Sequence, residues 1–177
     1  MRSGFTLILA AALSAGLGTA LAQWSQWDSD FDEERKPWKE IESRIPANPR
    51  ASDLIPFDVG NASPHRFHID ARSLSVGEDG VVRYTLVVVT AGGARNVTYE
   101  GIHCKERAQK YYAVGQPDGR WGRARNPQWR RIESVDINAH HYVLYNFYVC
   151  SSWAPVASVR EIVERLKSGP PFNPAGG

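Results

Sequence analysis

The stretch RWGRARNPQWRR, residues 120–131, places five arginines and two tryptophans in twelve positions with no acid among them. Guanidinium forks match phosphate and carboxylate, and an indole stacks on a base, a sugar ring or another guanidinium. Arg120, Trp121, Arg123, Arg125, Trp129, Arg130 and Arg131 are therefore the candidate residues for binding an anion or a partner. The plainer reading packs both tryptophans on the body and leaves the arginines in water. A second set, Glu100, Asp70, His103 and His140, has the residue types of an acid and a base, and a small hydrolase or transferase would need two of them within hydrogen-bond reach in a polar pocket. Nothing else completes a reaction centre. No serine stands in a GxSxG setting, and Gly92-Gly93 is not followed by the Lys-Ser of a phosphate loop. His65 and His68, three apart, point to opposite faces of a strand, and the adjacent His140 and His141 diverge on helix or strand alike. The sequence thus assigns no catalytic residue, no metal ligand set and no cofactor.

The compartment is the clearest signal. Residues 1–22, MRSGFTLILAAALSAGLGTALA, have one basic residue, an apolar run over 5–17 and a small-x-small ending at Ala20-Leu21-Ala22. That pattern predicts a secretory leader cut before Gln23, too short and too interrupted for a membrane span. Without it the formal charge falls from +2 to +1, since Arg2 is the leader's only charged residue. A nearly balanced chain sent out of the cytoplasm is not a nucleic-acid module, which is normally basic as a whole. No cysteine lies at the cleavage point, so no amino-terminal lipid anchor is expected. Cys104 and Cys150 are the two cysteines of the chain. An even pair in an oxidising compartment reads as a disulfide rather than as a reactive thiol or metal site, for no CxxC or Cys/His spacing accompanies it.

The elements that must position these residues follow from period and punctuation. Residues 23–50 mix acids, prolines and three tryptophans without helical or strand period, and 23–42 carry seven acids against three bases. They read as an acidic, flexible tail whose aromatics dock on the body. From near Leu54, strands are expected at 66–70, 81–90, 96–104 and 110–115, separated by turn residues at 75–80, Ala91-Gly92-Gly93-Ala94 and Pro117-Asp118-Gly119. Val156, Val159, Ile162, Val163 and Leu166 then share one helical face, with Pro155 in the first turn and Gly169-Pro170 as the stop. Residues 138–150 fit strand or helix, with helix preferred. The fold class is α+β: one small domain, a curved antiparallel sheet of about four or more strands with one or two carboxy-terminal helices packed on one face. The organisation is a leader at 1–22, a tail at 23–50, the domain at 51–170 and a disordered end at 171–177.

The blocks FDVG (57–60), RFHIDARSLSVGEDGVVRYTLVVV (66–89), NVTYEGIHC (96–104), YYAVG (111–115), DGRW (118–121) and LYNFYVC (144–150) together resemble the cryptic neisserial protein-like family. The resemblance spans roughly residues 45–170 and includes both cysteines. It implies an exported protein of Gram-negative proteobacteria with a single small domain in the cell envelope; it lends no catalytic residue, because the family has none assigned. Some members are lipoproteins, and this chain departs from them in lacking a lipobox cysteine. Three functions compete. The leading one is a non-enzymatic periplasmic or outer-membrane-associated binding or scaffolding module, whose partner is an anionic envelope component (lipid phosphate or acidic glycan) or an envelope protein. The others are the small hydrolase or transferase and a subunit of an envelope assembly, for which an exposed apolar patch would be the sign.

Overall fold

The computed structural model describes residues 37–60, 63–133 and 139–169. The expected leader, the segment 23–36 and the end 171–177 lie outside the described residues. By its contacts the chain divides into Met1–Pro37 and Trp38–Gly177, and the description concerns the second unit.

A 3-10 turn, Ala51–Asp53, leads into β1 (Leu54–Phe57), followed by β2 (Arg66–Val76), β3 (Val81–Val89), β4 (Arg95–His103), β5 (Ala108–Gly115), β6 (Trp121–Arg123) and β7 (Arg130–Arg131). They form one seven-stranded sheet in the order β1-β2-β3-β4-β5-β6, with β7 also paired to β5, and every pair is antiparallel. This is the expected meander, with β1, β6 and β7 added at its edges. β2 runs further than expected, to Val76, and the turn tightens to residues 77–80, where Gly80 takes φ 76°. The β2–β3 register shifts between Asp70 and Ser75. There Ser73 Oγ donates to Asp70 O at 2.9 Å and accepts from Thr85 N at 2.7 Å, so a side chain satisfies backbone groups at the irregularity.

Within residues 138–150, ambiguous in sequence, 139–149 are helical: α1 (Ala139–Val143) continues as a π-helical stretch, Leu144–Val149, and Cys150 is already extended. A short hairpin of β8 (Cys150–Ser151) and β9 (Ala154–Pro155) precedes α2 (Val159–Ser168). Pro155 therefore sits in a strand and not in the first turn of the helix. The cap is Ser158, whose Oγ accepts from Glu161 N at 3.2 Å, while Glu161 Oε2 accepts from Ala157 N at 3.1 Å. The i,i+4 pair Glu161–Arg165 closes at 2.7 Å.

Both faces of the sheet are covered. Val82, Tyr84, Leu86, Ile69 and Ile102 pack with Leu144, Tyr148, Val149, Ile162 and Leu166 in the main core. Each such aliphatic side chain, fully buried, stabilises by about 1.5–3 kcal/mol. The Cys104–Cys150 disulfide, with Cα atoms 5.6 Å apart, links the end of β4 to the start of β8 within this core. The alternate residues of β3, Val81, Arg83, Thr85 and Val87, point to the other face and are also buried. They are buried there because residues 38–50, which have neither helix nor strand, lie along that face as a strap. Arg83 Nη2 donates to Ile41 O at 3.0 Å, Ser43 Oγ to Tyr99 OH at 3.0 Å, Trp121 Nε1 to Pro46 O at 2.9 Å and Asn48 Nδ2 to Gly119 O. The carboxy-terminal part of the expected tail is thus bonded to the sheet.

Candidate functional site

The sheet separates the four candidate acid–base residues. Tyr84 pairs with Glu100 across β3 and β4, and both face the helices; Asp70 pairs with Thr85, and His103 with Val81, on the strap side. His140 enters from α1 with its ring stacked on Phe67, centroids 5.0 Å apart. Glu100 and His140 therefore share one side, and Asp70 and His103 lie on the other.

Glu100, the strand acid of that set on the helix side, is wholly buried. Its Oε1 accepts from Thr98 Oγ1 at 2.5 Å, and its Oε2 accepts from Tyr84 OH at 3.2 Å and lies 2.7 Å from His141 Nε2. A carboxylate can only accept, so Nε2 carries the hydrogen of that last bond. Burial alone would raise the Glu100 carboxyl; the charge and hydrogen bond of His141, with lesser help from His140 and Thr98, outweigh it and hold the group below the usual carboxylate range. Burial pushes His140 down to about 4, with the neighbouring His141 adding to the shift and Glu100 opposing it. Burial, and then the Glu100 charge, hold the Tyr84 hydroxyl well above its ordinary range, so it stays a donor. His141 lies outside the set of candidate acid–base residues read from the sequence. It is 1% exposed, and its Nδ1 has no partner among the described residues. A carboxylate–imidazole pair can orient a general base, but this one is closed from solvent and joins α1 to β4.

The strap face holds a second polar cluster. Glu40 accepts from Lys110 Nζ and Tyr112 OH, both at 2.8 Å, and from Trp129 Nε1 at 3.2 Å. Burial raises its carboxyl, and these bonds outweigh burial and lower it. Beside it, Asp79 pairs with Arg83 at 2.6 Å and accepts from Ile41 N at 2.9 Å. His103 packs edge-on against Trp38 and Trp129, and its Nδ1 accepts from Glu106 N at 3.1 Å. These bonds hold the strap down, although Arg83 Nε and His103 Nε2 are buried without a partner among the described residues. Asp70 opens on a cleft of about 160 Å³ with Arg50, Asp53 and Arg72, away from any candidate base.

The stretch 120–131 divides by residue type. Trp121 and Trp129 are half-buried and spend their indole N–H groups on Pro46 O and Glu40, and Trp129 also takes the Lys110 ammonium over its ring at 5.7 Å. The arginines face outward. Arg120 is paired with Asp118 at 2.7 Å, whereas Arg123, Arg125, Arg130 and Arg131 are exposed and make no ion pair among the described residues. β5 sets their spacing through Ala113 to Arg123, Gln109 to Arg130 and Ala108 to Arg131. The result is an edge of four free guanidiniums on a frame fixed by two inward tryptophans.

This chain is similar to a known protein over nearly its whole length. It is 28% identical over 194 residues to cryptic neisserial protein 1 of Neisseria gonorrhoeae, covering 94% of this chain and 93% of that protein. No solved structure matches it. A model of the CNP1-like family matches residues 33–167, a span that includes the strap, the whole sheet and nearly all of α2, and the chain belongs to the CNP1-like family.

Proposed function

We propose that this chain is an exported, non-enzymatic binding module of the cell envelope, working in the periplasm or at the outer membrane through the arginine edge formed by β6, β7 and their connection. The observation that carries the reading is the division within 120–131: the tryptophans are used internally, while Arg123, Arg125, Arg130 and Arg131 stand exposed without acidic partners among the described residues. Four unpaired guanidiniums on one edge raise the local potential of a chain whose net charge is small, and planar forks suit phosphate oxygens. The expected leader supports export, and the partner class is an anionic surface such as lipid phosphate. The acid–base residues support the non-enzymatic side of the reading because they are divided between two faces of the sheet, and Glu100, Asp70 and His103 are buried and engaged in internal hydrogen bonds.

The test is a variant with Arg123, Arg125, Arg130 and Arg131 all replaced by Gln. Exposed charges contribute little to folding, so its Tm should stay within about 2 °C of the wild type. A basic side chain near an anionic surface is worth about 1 kcal/mol, so binding to phosphatidylglycerol vesicles at low salt should weaken at least about 100-fold. Salt should weaken the wild type in the same direction, since the Debye length shrinks to about 8 Å at 0.15 M. Equal binding of the two proteins at every salt concentration overturns the reading.

A further inference from the structure

A groove of about 370 Å³, lined by Arg107, Arg165, Trp153, Ser151, Ser152 and Asn146, adjoins the β7 end of the arginine edge, where Arg107 O accepts from Ile132 N at 2.8 Å. Three features of it are unusual. Trp153 is 64% exposed at the tip of the β8–β9 hairpin, whose loop is the two residues Ser152 and Trp153. Both take positive φ, 48° and 69°, the arrangement of a type I′ turn, which favours Asn-Gly and strains a serine and a tryptophan. Such strain persists where the surrounding structure enforces it, and here the Cys104–Cys150 bond anchors the first residue of the hairpin.

The third feature is charge. Arg107, also at positive φ (49°), extends its guanidinium over the rings of Tyr142 at 5.5 Å and Tyr145 at 5.6 Å. It makes no ion pair among the described residues, and its Nε is buried without a partner there. A half-buried cation lacking a counterion attracts an anion strongly, because water screens it poorly. Arg165, across the groove, gives Nη2 to Glu161, and Asn146 gives its Nδ2 to Tyr142 O, which leaves the Asn146 carbonyl oxygen as an acceptor. The Ser151 and Ser152 hydroxyls add groups that both donate and accept.

We propose that this groove binds an acidic sugar, with the Trp153 indole stacked on the apolar face of the ring, its carboxylate held by Arg107 and Arg165, and its hydroxyls met by Ser151, Ser152 and Asn146. A bare anion would have no use for the indole, and a neutral sugar none for the unpaired guanidinium. The inference stands without the arginine edge.

Titrating the oxidised full chain with glucuronate, and following Trp fluorescence and calorimetric heat, tests it. Glucuronate should bind at least about tenfold more tightly than glucose or acetate alone, and Trp153→Ser and Arg107→Gln should each weaken it at least about tenfold. The decisive variant is Ser152→Asn with Trp153→Gly, which supplies the residues a type I′ turn prefers. It should keep or raise Tm, by up to about 4 °C, while losing glucuronate binding, because strain is relieved as the stacking ring is removed. Acetate binding as tightly as glucuronate, glucuronate binding surviving in the Asn-Gly variant, or a Tm more than about 2 °C lower in that variant each overturns the proposal, the last because it makes Trp153 a packing residue.

Discussion

Replacing His141 with leucine should destabilise the folded chain by about 3–5 kcal/mol at pH 7, the usual cost of leaving a buried charge, here the Glu100 carboxylate, without its partner. The leucine fills part of the space, but Glu100, wholly buried, keeps only the Tyr84 and Thr98 hydroxyls. The pH dependence makes the result diagnostic. In the wild type the folded Glu100 carboxyl lies below its ordinary value, so its stabilising contribution is present above about pH 4.5 and is lost as pH falls through the lower folded value. His140 acts over a higher window: burial lowers it to about 4, so it is charged in the unfolded chain first, and stability falls from about pH 6.5 to pH 4 by up to about 3 kcal/mol. In His141→Leu the desolvation of Glu100 is no longer opposed by an imidazole. Its carboxyl rises, and acidification should narrow the gap to wild type. Adding Glu100→Gln should recover part of the loss at pH 7, since no buried charge remains. Urea midpoints of the three proteins at pH 5 and pH 7 check each step, and a gap that widens on acidification contradicts the pairing.

Opening the Cys104–Cys150 bond should cost about 4 kcal/mol, the chain-entropy expectation for cysteines 46 residues apart. Cys104 is fully buried and Cys150 nearly so, and between them run β5, β6, β7, α1 and the π-helical stretch. In the reduced chain the ends of that long segment are no longer joined in the unfolded state. The double Cys→Ala variant should show at least the same loss with a steeper dependence on urea, because an unfolded chain without the cross-link is less compact and exposes more surface. A urea midpoint that does not move on reduction would show that the bridge constrains little.

What was legible in the sequence was the periodic part. Alternation and turn residues located β2 to β5, and the apolar face of Val159, Ile162, Val163 and Leu166 located α2, because those patterns are set by local geometry. The amino end of α2 was misplaced at Pro155, since the strand pairing of Cys150 with Pro155 is a tertiary choice that outweighs proline's fitness for a first turn. The strap was read as tail because irregular backbone has no period. Its one signal was in β3: VVRYTLVVV is close to continuously apolar, as a strand buried on both faces must be. The Glu100–His141 pair joins residues 41 apart, and adjacent histidines gave no cue to which ring would turn inward. Nor does Ser-Trp announce a type I′ turn, because the sequence that prefers that turn is Asn-Gly. The arginines and tryptophans of 120–131 were singled out together, and the fold separates them, sending the indoles inward and leaving four guanidiniums in solvent.

The central claim is that this edge is the working surface. Hydrogen–deuterium exchange of the full chain, with and without phosphatidylglycerol vesicles at low salt, tests it most directly. Expected is slowed exchange across residues 120–131 that disappears at high salt, as screening removes the attraction. Vesicle binding at low salt with unchanged exchange across 120–131, or no binding at all, would contradict the claim.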